Sequence, residues 1–239
     1  MHILSKIAAT ITEFTLLGVD FDCKFVMAEV VRSCVIEASW KLKSILRTKQ
    51  FFTTKDMILI IKVHILSFIE YRSPAFFHAS DTVLAPLDNI QNRFLSDIGI
   101  SETDALLFFN LAPLSIRRDL SALGFIHRTL LGKGPIQFRD FFRLDTNSCY
   151  RRTRQGSRRH HRQLEDPYQH FHKDYINRSI FGYIWIYNTL PEDVVNAKTV
   201  KIFQKRCQLL LKDLVSSGNP YWKATFSPRF SRLQNPLFS

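Results

Sequence analysis

Glycine is scarce in this chain, 8 in 239 residues, and no apolar stretch runs on for long. Few glycines argue against a turn-rich β fold, which needs residues that tolerate positive φ. The most apolar run, Met57 to Ile69, spans 13 residues and carries Lys62 and His64. A bilayer needs about 20 apolar residues in a row, so this run reads as a buried helix and no membrane partner is expected. Cysteine is also sparse. Cys23, Cys34, Cys149 and Cys207 form no CxxC pair, which excludes a disulfide-dense scaffold and a paired-cysteine zinc site. The expectation is reduced thiols in an intracellular protein. The first residues lack the continuous apolar stretch and cleavage motif of a secretory leader. GxSxG and HExxH are missing, and Gly132-Lys133-Gly134-Pro135 has neither the GKS/GKT ending nor the preceding strand of a phosphate loop. No catalytic residue, metal ligand or cofactor is therefore expected.

What the chain does hold is 46% hydrophobic residues, 21 of them Phe, which is enough for a packed core. It also holds a lopsided charge. Lys+Arg number 33 against 21 Asp+Glu, a net charge of +12. Residues 1–138 carry 15 cations against 13 acids, while residues 139–239 carry 18 against 8. Such a gradient points to an anionic partner for the second half, with nucleic acid ahead of a membrane surface.

The pattern predicts a mainly α fold: a helical bundle with a short N-terminal strand, a basic linker and a small C-terminal α-rich subdomain. Thr15 to Asp22 reads as the strand. A helix over about 25–48 follows, since Met27, Val31, Cys34, Ala38, Leu42 and Ile45 share one face. Lys41, Lys43, Arg47 and Lys49 gather at its end, where cations suit the helix dipole. Thr53-Thr54 offers an N-cap to a helix reaching Tyr71, with Pro74 as the break. Further helices are expected over 80–98 (stopped by Gly99), from Ser101, and from Pro113 to Leu131 (stopped by Gly132). A last one spans 199–217, with Val200, Phe203, Cys207, Leu210 and Leu214 on one face. The expected domains are 1–24, a strand remnant; 25–142, a helical body; 143–167, a basic linker; 168–217, a subdomain; and 218–239, a tail.

Between Arg143 and Arg162 stand seven arginines, Arg143, Arg151, Arg152, Arg154, Arg158, Arg159 and Arg162, with one acid, Asp145. Guanidinium forks match phosphate oxygens, and several in series release counterions from a nucleic acid. Tyr150, Tyr168 and Phe171 stand close enough in sequence to stack on bases. The other open reading is a solvated tether or a nuclear import signal. His160, His161, His170 and His172 lack the Cys/His pairing of a zinc site and read as flexible polar residues of a basic loop. Asp20 and Asp22 fall on one side of a strand, where paired carboxylates can hold Mg²⁺. The plainer reading is a strand end with Asp22 capping the next helix. Phe181 to Tyr187, around Trp185, reads as core.

Three stretches in order carry a resemblance. They are Leu17-Gly-Val-Asp-Phe-Asp22 before a long helix; Ile69-Glu-Tyr-Arg-Ser-Pro74 with Asp88-Asn-Ile-Gln-Asn-Arg93; and Trp185-Ile-Tyr-Asn-Thr-Leu-Pro-Glu-Asp-Val-Val195 with Thr199-Val-Lys-Ile-Phe203. Over residues 15–215 this order resembles the region downstream of the polymerase palm in non-LTR (LINE-type) retrotransposon reverse transcriptases. There an LGV-x-x-D strand closes the palm, thumb helices follow, and a late W-N-x-LP-x-x-V segment leads to a terminal helix. The chain departs from that pattern in three places. Ala75-Phe76-Phe77 replaces an aromatic pair with Trp, two extra residues separate Trp185 from Asn188, and Asp20 falls at a variable position. The Tyr-x-Asp-Asp box of the family's polymerase site is missing, as is its endonuclease. The resemblance implies a thumb and C-terminal portion in which thumb helices grip template–primer and the arginines touch phosphates. RNA or DNA would be the partner, the location nuclear, and Mg²⁺ a requirement of the full-length family enzyme only. The competing class is a helical protein-interaction module with an Arg-rich import signal.

Overall fold

A computed structural model describes residues 13–16, 18–22, 24, 26–145, 160–168 and 174–238. The described residues are mainly helical, as the apolar spacing predicts, with one pair of short antiparallel strands. The chain divides into two compact units, residues 1–114 and 115–239.

In the first unit the single expected strand is a hairpin. β1 (Glu13–Leu16) pairs with β2 (Val19–Asp22), Leu16 opposite Val19. Gly18, at φ 73°, supplies the left-handed turn between them. α1 (Ala28–Arg47) follows. Asp22 does not cap it: Met27 holds the N-cap position and no side chain closes the end. The expected face is buried, with Val31, Cys34, Ala38 and Leu42 each at most 2% exposed. The Cys34 thiol is pushed up to about 11 by burial, so it stays protonated and inert.

Thr53 caps α2 (Thr54–Ile61) through a capping box in which the Asp56 N–H donates to Thr53 Oγ1 (3.2 Å). A π-helical turn, Lys62–Leu66, joins α2 to α3 (Ser67–Phe76). Pro74 does not break the chain where expected. It removes only one backbone donor, and the helix closes past it through the Phe77 N–H to the Ser73 carbonyl (2.9 Å). The apolar run is buried on one face only. Ile61, Ile65, Leu66 and Ile69 are fully enclosed, whereas Leu59 and Val63, one turn apart, are exposed. Lys62 Nζ donates to the Phe109 carbonyl (2.6 Å), at the end of the helix Glu102–Phe109, where carbonyls lack helical partners.

α4 (Asp81–Asp97) ends at Gly99, φ 70°, with the Ile100 N–H returning to the Leu95 carbonyl (3.0 Å). Ser101 caps α5 (Glu102–Phe109) by accepting the Asp104 N–H (3.0 Å). Met27, Phe76, Leu87 and Phe94 join the buried faces of these helices in one apolar cluster. Full burial of each such side chain contributes roughly 1.5–3 kcal/mol.

α6 (Leu114–Leu130) starts at the unit boundary, so the expected division near residue 142 moves to 114/115. The cause is polar. Asp119 and His127 on α6 find their partners among residues 183–197. α7 (Asp174–Arg178), α8 (Tyr183–Thr189), α9 (Glu192–Val195) and α10 (Val200–Ser216) complete the second unit. Thr199 caps α10 by accepting the Ile202 N–H (3.2 Å). The buried stripe of α10 is Phe203, Cys207 and Leu211, a slight rotation from the expected face. Residues 218–239 are not a free tail. Trp222, Ala224 and Phe226 are buried, and Asn235 Nδ2 donates to the Thr225 carbonyl (3.0 Å). Among the described residues no helix is long and apolar enough to cross a membrane.

Candidate functional site

The core of the second unit is threaded with polar groups. His127 is fully buried and lies flat against Phe203, ring centroids 4.3 Å apart and 12° from parallel. Its Nε2 is 2.9 Å from the Ala197 carbonyl, which can only accept, so Nε2 carries the hydrogen. Nδ1 must then accept from the Tyr187 hydroxyl, also at 2.9 Å. Burial lowers the His127 pKa, against a smaller opposing effect of the Ala197 bond, which favours the neutral ring that this pattern needs. Burial likewise raises Tyr187, which keeps the proton it donates. Nearby, the Tyr183 hydroxyl donates to the buried Asp119 carboxylate (2.7 Å).

The two described ends of the arginine segment pair with each other, and the second is fastened to this core. Leu144 and Leu164 form an antiparallel bridge, in which the Asp145 N–H donates to the Gln163 carbonyl (2.8 Å) and the Glu165 N–H to the Arg143 carbonyl (3.0 Å). Asn188 grips Leu164 from α8. Its Oδ1 accepts the Leu164 N–H and its Nδ2 donates to the Leu164 carbonyl, both at 2.8 Å. His160 is 3% exposed and its Nε2 donates to the Tyr187 carbonyl (3.0 Å). His161 pairs with Glu192, whose side chain also accepts the His161 backbone N–H (3.0 Å). The two described ends of the segment, 143–145 and 160–165, are therefore paired with each other, and the second is also fastened to residues 187–192. His160, expected to be a flexible polar residue, is a buried hook.

Of the seven arginines, the structure places two. Arg143 is exposed, with Asp140 at 3.8 Å. Arg162 is half-buried: its Nε meets His161 Nε2 (3.2 Å), and its enclosed Nη1 has no hydrogen-bond partner. The bridge brings the backbones around these two together. Arg151, Arg152, Arg154, Arg158 and Arg159 lie outside the described residues, as do Tyr150, Phe171, His170 and His172. The side chains of Asp20 and Asp22 do so too. Among the described residues no three His, Cys, Asp or Glu side chains gather in one place.

The unit boundary sharpens the charge division seen in the sequence. Residues 1–114 carry 11 Lys+Arg against 12 Asp+Glu, net −1. Residues 115–239 carry 22 against 9, net +13. The whole positive excess belongs to the second unit, including exposed Lys201 and Lys205 on α10. Local sequence patterns could not reveal the clasp, because its partners stand 18 to 31 residues apart. No protein-family model, no curated protein and no solved structure matches the chain.

Proposed function

We propose that the second unit binds RNA or DNA through its phosphates, and that the chain is a non-catalytic thumb and C-terminal portion of a LINE-type reverse transcriptase. The supporting observation is the coincidence of the charge excess with one compact unit, −1 against +13. Seven arginines within one stretch of sequence, 143–162, provide affinity with little sequence choice, since phosphate contacts position a protein without reading bases. The family reading rests on the three ordered stretches given above. It assigns the first unit's helices to the template–primer duplex, but the first unit's near-neutral charge leaves most of the affinity to the second. Polymerisation needs a carboxylate-held metal pair, which the missing Asp-Asp box would supply in the full-length family enzyme. A nuclear location follows from both the partner and the arginine run.

The test is binding of the full chain to a labelled duplex and to RNA, with the seven arginines changed together to Ser. The expected result is salt-sensitive binding that collapses in the variant. Binding that survives the change would remove the arginine segment from the interface. If the variant instead loses only nuclear import while binding is absent throughout, the import-signal reading takes its place. Primer extension with Mg²⁺ should yield no incorporation, and incorporation by this chain would overturn the non-catalytic reading.

A further inference from the structure

Beside the clasp, the second unit carries an aromatic cleft of about 320 Å³, lined by Tyr168, Phe181, Trp185 and Phe230 together with Arg232 and Asp166. A cluster that serves packing alone encloses its rings. Here Tyr168, Phe181 and Trp185 are only half-buried and Phe230 is 44% exposed. The Tyr168 and Phe181 rings stand 5.2 Å apart at 46°, and the Arg232 guanidinium lies 5.5 Å from the Trp185 ring. The volume is at the low end of the ~300–1,000 Å³ typical of ligand pockets, room for one planar ring system. A second cavity, about 330 Å³, shares Tyr168, Phe181 and Asp166 with the first and is lined as well by Arg143 and the acids Asp140 and Glu165. The two cavities thus have a wall in common, and the second reaches the described start of the arginine segment at Arg143.

From this we infer that the cleft takes an unpaired base of a single-stranded nucleic acid, stacked on its aromatic walls, while the flanking phosphates follow the cations outside. The inference rests on the nucleic-acid reading and adds to it a preference for single strands. Asp166 and Arg232 bring one charge of each sign to the lining, so the cleft offers a phosphate no net attraction while both side chains can meet the neutral polar edge of a base. Arg232 beside Trp185 adds a second planar surface of the kind that bases stack on. Duplex DNA, whose bases are already paired and stacked, gains nothing from such walls.

Fluorescence anisotropy on the full chain tests this with three probes at one salt concentration: a single-stranded RNA of about 12 nucleotides, within the usual ~4–16 nucleotide site; an abasic strand of equal length; and a duplex. The wild-type chain should bind the single strand more tightly than the abasic strand. Tyr168→Ala with Phe230→Ala should weaken single-strand binding about 5- to 150-fold, as loss of a stacked base does, and leave abasic and duplex binding unchanged. Tyr168→Phe, which keeps the ring, should bind as wild type does. Equal wild-type affinity for the single and abasic strands overturns the inference without any variant. So does unchanged single-strand binding by a double variant whose circular dichroism matches wild type. No binding to any of the three probes would instead bring down the nucleic-acid reading beneath it.

Discussion

The two units are both helical and both bury apolar side chains, but the second adds a polar network to its core. The first closes on an apolar cluster in which Ile61, Ile65, Leu66, Ile69, Leu87 and Phe94 interlock. The second puts a histidine, two tyrosines and an aspartate into its core and ties them by side-chain hydrogen bonds between residues 60 to 70 positions apart. An apolar core tolerates any partner of suitable size, whereas a polar core requires each donor to meet one acceptor. The second unit is therefore the more specified of the two. It is also the one that carries the positive charge and pairs the described ends of the arginine segment. Under the proposed function such pairing has a physical use, because a segment held at both ends loses less entropy on binding than a free tether.

The contrast makes definite predictions. The largest effect leaves the units alike. Phe94→Ala in the first and Phe203→Ala in the second should each cost about 3–5 kcal/mol in denaturant unfolding followed by circular dichroism. Next, His127→Leu should separate them. It orphans the Ala197 carbonyl and the Tyr187 hydroxyl, about 1–3 kcal/mol for each buried group, while Leu66→Met should cost under about 1.5 kcal/mol. Equal costs for the two would show that the polar network is incidental.

A pH series probes the same network. Burial holds His127 below its ordinary pKa in the fold, so the unfolded chain takes up a proton first as pH falls. The stability that it contributes is intact above about pH 6.5 and declines below that, whereas His127→Asn should flatten this part of the profile. Loss of stability on raising the pH through the same window would contradict the neutral-ring assignment. The smallest effect separates the two placed arginines. Arg162→Ser should destabilise by about 1 kcal/mol, because its stem and one amino group are enclosed. Arg143→Ser, exposed and with its acid at 3.8 Å, should change stability by no more than about 0.5 kcal/mol.

What was legible in the sequence follows the same division. Helix faces and caps are local: the Val31–Cys34–Ala38–Leu42 stripe, the Thr53 and Ser101 caps and the Gly99 stop depend on residues at most a few positions apart. The turn at Gly18 was also local, but a four-residue strand either side is too short for alternation to register against a single longer strand. Pro74 misled because a proline near a helix end forfeits one bond and need not end the helix. The candidate site was half legible. Its arginines and Tyr168 stand out by composition. The hook at His160, the Asn188 clamp, and the return of Phe230 and Arg232 to the cleft depend on long-range pairing, which no local spacing encodes.

The claim on which the account depends is that nucleic acid meets residues 115–239. Ultraviolet crosslinking of the full chain to a single-stranded RNA, with mass spectrometry of the crosslinked peptides, measures that directly. The account predicts crosslinks concentrated in residues 115–239, with Tyr168, Phe181 or Phe230 among the attachment sites. Crosslinks confined to residues 1–114 would contradict it.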